Sequence, residues 1–131
     1  MELTLDRPGE HLFIRSVSAT GIQIADQLFA GPLILSASEL ITDWEVMQPG
    51  DLSESSLEPV FSLAPEIVLV GTGGKQVFPA PELLMSFYRR HIGVEFMNTR
   101  AACRTFNVLV SEQRNVVAAL LSPGPDPSPG S

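Results

Sequence analysis

The run Ile67-Val68-Leu69-Val70-Gly71-Thr72-Gly73-Gly74-Lys75, IVLVGTGGK, joins an aliphatic tetrad to a glycine-rich turn and a lysine. A continuous aliphatic run bounded by turn residues is the signature of a strand covered on both faces, as in parallel sheets. Glycines and a lysine behind such a strand also invite a phosphate-loop reading, which fails on spacing. A Walker loop needs Gly, four residues, then Gly-Lys-Ser or Gly-Lys-Thr, so that backbone amides wrap the phosphates and a hydroxyl meets magnesium. Leu69 stands where the first Gly belongs and Gln76 where the hydroxyl belongs. The dinucleotide pattern fails as well: counted from Gly71 its sixth position is Gln76, and Val77-Phe78-Pro79 keeps a helix from opening directly behind the glycines. Two readings of Gly71, Gly73 and Gly74 remain. In the favoured one they let the chain leave the sheet with positive φ. In the other, the loop lines a pocket at the carboxyl ends of the strands, where open α/β sheets place their sites.

Downstream, Pro79-Ala80-Pro81-Glu82 opens a helix, because a proline in the first turn loses no needed hydrogen bond and an acid there suits the dipole. Leu83, Leu84, Phe87 and Tyr88 form its inward stripe; Arg89, Arg90 and His91 fall in its last turn and Gly93 ends it. Val94 to Met97 reads as a strand. Asn98 or Thr99 can cap a second helix to about Val110, with Thr99, Ala102, Phe106, Leu109 and Val110 on one face and Arg100, Arg104 and Asn107 on the other. Val116 to Leu121 is strand-like by length and apolarity. Strand, helix, strand, helix, strand from Ile67 onward argues for an α/β half with crossover connections.

The first half is richer in hairpins. Leu12 to Val17 alternates in part, Ala19-Thr20-Gly21 supplies a turn, and Ile22 to Asp26 alternates apolar with polar. Pro32 to Leu35 suits a buried strand and Ile41 to Val46 a looser one. Asp51 to Phe61 carries Ser and Asp caps for a helix of one or two turns, its length limited by Pro59. Residues 1–121 read as a single domain, and residues 122–131, SPGPDPSPGS, as a disordered tail.

A net charge of −7, from 15 acidic and 8 basic residues, argues against nucleic acid as a partner. One cysteine, Cys103, excludes an internal disulfide and fits a reducing, cytoplasmic setting. The opening MELTLDRPGEH is neither an apolar signal nor an Arg-rich transit peptide, and no apolar run reaches the length of a membrane span.

The usual catalytic constellations are missing. His11 and His91 are far apart in sequence, with no HExxH or CxxC to anchor a metal, so no metal and no cofactor is expected. No GxSxG elbow is present. Cys103 lies beside the Arg100, Arg104 and Asn107 side of its helix, where guanidinium groups would lower a thiol pKa, yet a small half-buried packing residue is the favoured reading. Glu95 reads as an exposed carboxylate and Glu112 as a weak turn ion pair with Arg114.

Four segments carry a resemblance: Phe13-Ile14-Arg15 followed by Gly21; Val68-Leu69-Val70-Gly71-Thr72-Gly73; Thr99-Arg100-Ala101-Ala102-Cys103-Arg104-Thr105-Phe106-Asn107-Val108-Leu109; and Glu112-x-Arg114-x-Val116. Together they resemble a small domain family of unknown function that includes the mitochondrial complex I (NADH:ubiquinone oxidoreductase) assembly factor 3, over about Leu12 to Leu121. The helix motif is the most specific part, and it departs from the family at Phe106, where many relatives carry Tyr. The resemblance implies a three-layer α/β fold with a mixed central sheet partly covered by extra strands, and no established reaction. Without a transit peptide the chain looks like a bacterial relative.

The leading expectation is a noncatalytic binding or assembly protein acting on a protein partner, as a monomer or weak homodimer. The alternative is a binder of a small anionic ligand, or an enzyme, with its pocket between the Gly71–Gly74 loop and the Thr99 helix start. There Gly71, Thr72, Gly73, Lys75, Thr99, Arg100, Arg104 and Asn107 would supply the contacts.

Overall fold

A computed structural model of the chain describes residues 2–4 and 11–125. Its strands are β1 (Glu2–Thr4), β2 (Ile14–Ser18), β3 (Gly21–Ile24), β4 (Gln27–Phe29), β5 (Leu33–Leu35), β6 (Glu39–Ile41), β7 (Ile67–Gly71), β8 (Gly93–Met97) and β9 (Val116–Leu120). The helices are α1 (Glu58–Phe61), α2 (Pro81–Arg89) and α3 (Thr99–Ser111). A mixed sheet runs in the order β1-β6-β5-β9-β7-β8, and β2-β3-β4 form a second, antiparallel sheet. The aliphatic strand β7 lies between β9 and β8 and runs parallel to both, with Ile67 opposite Val116 and Gly93. β9 pairs antiparallel with β5 on its other side, which makes the sheet mixed.

Alternation along these strands builds two cores. Leu33, Leu35, Leu69, Val116, Ala118 and Leu120 face Ala102, Cys103, Phe106 and Val110 of α3 and the inner side of the small sheet, including Ile14, Ile22 and Ile24. Ile34, Val68, Val70, Val117, Ala119 and Leu121 face Val60 of α1, Leu83 and Phe87 of α2, and Trp44. Covered on both faces, β7 and β9 need no polar alternation, which is why both read as unbroken apolar runs. The three-layer α/β architecture with a central mixed sheet is therefore as the resemblance implies, and the hairpin-rich first half is as the residues read.

Several boundaries differ. Pairing in the first hairpin begins at Ile14, and the alternating run from Ile22 stops at Ile24 because Ala25 and Asp26 form a tight turn into β4. β4 was not legible, since Ala25-Asp26 lacks the glycine that marks such turns. Ala25 sits at φ 54°, where a Cβ is disfavoured. Ala25→Gly is expected to raise stability by about 0.5–1 kcal/mol in urea unfolding. A loss instead would mean that the glycine's extra unfolded-state entropy outweighs the relieved strain.

The strand ends at Ile41, short of the expected Val46. Trp44 and Val46 are buried while Glu45 is exposed, so the strand-like alternation is real but comes from side-chain burial and from the Trp44 Nε1–H bond to the Ser56 carbonyl at 2.8 Å. The short helix forms later than its serine caps predict, and Pro59 lies in its first turn, starting it rather than limiting it. α2 begins at Pro81, and the left-handed residue behind it is His91 at φ 57°, while Gly93 opens β8. Arg114 pairs with Glu66 at 3.2 Å rather than with Glu112, and this bond, with the Asn115 amide, holds the Glu66 carboxyl below its ordinary range.

Residues 122–125 lie against the β7 loop, with Ser122 Oγ donating to the Ala30 carbonyl at 3.0 Å; residues 126–131 of the expected tail lie outside the described residues. Among the described residues no helix is long and apolar enough to cross a membrane.

Candidate functional site

Parallel pairing of β7 with β8 brings the Gly71–Gly74 loop and the start of α3 to the same end of the sheet, and the two interlock. Asn98 caps α3, its Oδ1 accepting the Ala101 amide at 2.8 Å. Thr99, fully buried, donates its hydroxyl to the Leu121 carbonyl at 2.9 Å and accepts the Gly73 amide at 2.9 Å. The Thr99 amide returns a bond to the Gly73 carbonyl at 2.8 Å. Thr72 is buried too: its hydroxyl bonds the Lys75 and Met97 carbonyls and accepts the Val77 amide at 3.0 Å. Gly71 is required by close approach, because an added Cβ would stand 2.9 Å from Thr99 Oγ1 and 3.0 Å from Thr99 Cα. Gly73, at φ 98°, makes the left-handed turn. The polar groups of this element are thus bonded to one another and to the backbone of β8 and β9. Beside them remains a hollow of about 90 Å³ lined by Gly73, Gly74, Asn98, Arg100 and Pro125, far below the volume of a usual ligand pocket. Lys75 is exposed at the loop tip.

Arg100, Arg104 and Asn107 fall at i, i+4 and i+7 along α3, one stripe of the helix, and this stripe lies along β2. Asn107 works there as a backbone clamp, its Oδ1 accepting the Ile14 amide and its Nδ2 donating to the Ile14 carbonyl, both at 2.8 Å. Arg100 donates to the carbonyls of Val17 at 3.4 Å and Gly124 at 3.2 Å. Between these attachments opens a groove of about 290 Å³ walled by Arg15, Ser16, Val17, Arg100, Arg104 and Asn107, with Ile14 and Cys103 also lining it. The eight expected contact residues therefore divide. Gly71, Thr72, Gly73 and Thr99 form the interlock, Arg104 and Asn107 line the groove, Arg100 borders both, and Lys75 joins the interlock through its carbonyl alone, its side chain exposed. Arg15 and Ser16 were not expected at a site. The helical spacing of Arg100, Arg104 and Asn107 shows a polar stripe, but which strand faces it is a long-range property.

Cys103 is a core residue, more deeply buried than the half-buried position expected. Burial pushes its thiol up from 9.0 to about 12, and the nearby Arg100 and Arg104 charges offset only part of that. A raised thiol pKa means stability that is complete below the unfolded value of 9.0 and lost as pH rises from there toward about 12. The native protein at pH 8 is expected to resist iodoacetamide, with alkylation following the rate of global unfolding; fast labelling, read by mass spectrometry, would contradict this burial. Phe106 is also fully buried and acts through packing. Among the described residues no group of three His, Cys, Asp or Glu side chains is placed to hold a metal ion.

Another exposed feature is apolar. In the loop before α2, Phe78 is 75% exposed and Val77 is exposed as well, while Met85 and Tyr88 (62%) stand on the outer side of α2.

The chain is 37% identical over 114 residues to NADH dehydrogenase (ubiquinone) 1 alpha subcomplex assembly factor 3 of Mus musculus, covering 86% of this chain and 61% of that protein. It is 35% identical over 91 residues to the 13 kDa major membrane protein of Francisella tularensis, covering 69% of this chain and 74% of that one. A crystal structure of a Bordetella parapertussis protein superposes with a TM-score of 0.83 at 32% identity, over 88% of this chain and 99% of that chain. The sequence pattern of the family described as Protein of unknown function (DUF498/DUF598) matches residues 14–121, and the chain belongs to that family.

Proposed function

We propose that this protein is a noncatalytic binding or assembly module that presents a surface of its α/β scaffold to a protein partner. The observation that carries this reading is the inward use of the motif side chains. Thr72, Thr99 and Asn107 all bond backbone, so the family's polar signature holds the fold together and leaves the surface to meet other molecules. The exposed Val77, Phe78, Met85 and Tyr88 supply the aromatic and Met contacts that recur at protein interfaces. That the mouse relative is named an assembly factor supports a protein partner, although this chain spans only 61% of its length. A cytoplasmic setting and a monomer or weak homodimer belong to the same proposal. Affinity purification from the native cell at mild salt is expected to recover a partner above a mock control, and Phe78→Ser with Tyr88→Ser to reduce it. Recovery of nothing above the control would end this reading.

A second reading, a small-anion binder, is favoured by the arginines beside the β2–α3 stripe rather than by the glycine loop. It expects a thermal shift with a panel of carboxylates and phosphates, worth about 2.7 kcal/mol at a hundredfold excess over Kd. No shift with any of them would remove it.

A further inference from the structure

The groove between β2 and α3 collects positive charge in an acidic protein. Arg15, Arg100 and Arg104 are three of the eight lysines and arginines in a chain of net charge −7, and among the described residues no carboxylate lines the groove with them. Arg100 is engaged by the Val17 and Gly124 carbonyls, but Arg15 and Arg104 are exposed and have no ion-pair partner among the described residues. Elsewhere among the described residues Arg89 and Arg90 pair with Glu54 and Arg114 with Glu66, while Lys75 stands exposed on the β7 loop, away from the groove. An unpaired guanidinium presents a planar fork of donors that fits a carboxylate in bidentate geometry.

Apolar surface stands beside both charges. Phe13 and Arg15 flank buried Ile14, so they lie on the same outward side of the chain, and Phe13 is 46% exposed. Val108 follows Arg104 by one helical turn on α3 and is 55% exposed. Basic residues with adjacent apolar anchors make the composition of an interface centre rather than of a solvated face. Because Arg15, Ser16 and Arg104 are exposed, the groove is an open trough, unlike the enclosing clefts that bury most of a small ligand.

We infer that this groove is the docking surface for an acidic peptide segment of the partner protein, whose Asp or Glu carboxylates pair with Arg15 and Arg104. The inference rests on the protein-binding reading above and adds to it a second contact face, on the α3 side of the sheet where Phe78 and Tyr88 belong to the α2 side, together with the partner's chemistry. Arg100 and Asn107 hold the two walls together, so the charge pair to be tested is Arg15 and Arg104.

The test is an amide NMR titration of the full chain with an oligoglutamate peptide, and in a separate arm with succinate and with inorganic phosphate, at constant ionic strength. Saturable shifts confined to residues 13–17 and 100–108, weakened at least about tenfold by Arg15→Gln with Arg104→Gln, are expected. Arg89→Gln with Arg114→Gln, which remove the same charge elsewhere, should leave the affinity near that of the unmodified protein. Equal weakening by both pairs, absence of binding, or binding of succinate or phosphate without the peptide would each overturn the inference. Thermal melts of every variant separate loss of binding from loss of fold. If the partner recovered by affinity purification is retained by the Arg15→Gln, Arg104→Gln protein, the groove proposal falls while the protein-binding reading stands.

Discussion

Thr99→Val is expected to destabilise the fold by about 3 kcal/mol, although it replaces one atom with another of similar size. The hydroxyl is fully buried and joins the Gly73 amide to the Leu121 carbonyl. Valine fills the space and bonds neither, and each buried backbone group left without a partner costs about 1–3 kcal/mol. Urea unfolding measures the total, and hydrogen exchange at the Gly73 amide should show the local opening first. Thr99→Ser keeps both bonds and should recover most of the loss, leaving about 1 kcal/mol for the missing methyl. A loss well under 1 kcal/mol for the valine variant would show that the loop finds other partners, and the interlock would then explain little of the motif.

Phe106→Ala should cost more, about 3–5 kcal/mol, as a large buried aromatic is removed from a close-packed interior. Its ring lies in the core that α3 shares with the central sheet and with Leu12, Ile14, Ile22 and Ile24. Those residues belong to the small sheet and the segment entering it, which makes the sheet's docking the first thing to fail. The expected signature is loss of dispersion for residues 14–29 in amide spectra below the global melting temperature, together with a lowered calorimetric midpoint. Phe106→Leu, which refills much of the volume, should lose appreciably less. Cooperative melting of Phe106→Ala with the small sheet intact until the end would place the sheet's anchoring elsewhere.

Both variants sit in the helix motif that made the family legible, and the structure shows what those residues do together. Thr99 locks the start of the helix to the β7 loop, Ala102, Cys103 and Phe106 pack it onto the sheet, and Asn107 clamps Ile14. A local pattern of this kind is readable because helical spacing decides which residues share a face. The glycine loop was legible in part: its spacing excluded a phosphate cradle and favoured a tight exit from the sheet, without showing what that exit makes room for. Only the 2.9 Å approach of a Gly71 Cβ to Thr99 Oγ1 shows that here the glycine makes room for a helix.

Local chemistry fixed what depends on neighbours in the chain. The two-sided burial of Ile67 to Val70, the proline-led entry to α2, the Asn98 cap and the polar stripe of α3 all follow from periodicity and side-chain type, because burial on a given face must repeat with the turn of the element. Tertiary packing decided the rest. It set β9 between β5 and β7, drew Trp44 and Val46 inward beyond the end of β6, paired Arg114 with Glu66, and laid β2 along Arg100, Arg104 and Asn107. Those outcomes join residues tens of positions apart, whose meeting depends on how whole layers close over one another. The groove that results, with Arg15 brought beside Arg104, exists only once that closure is made.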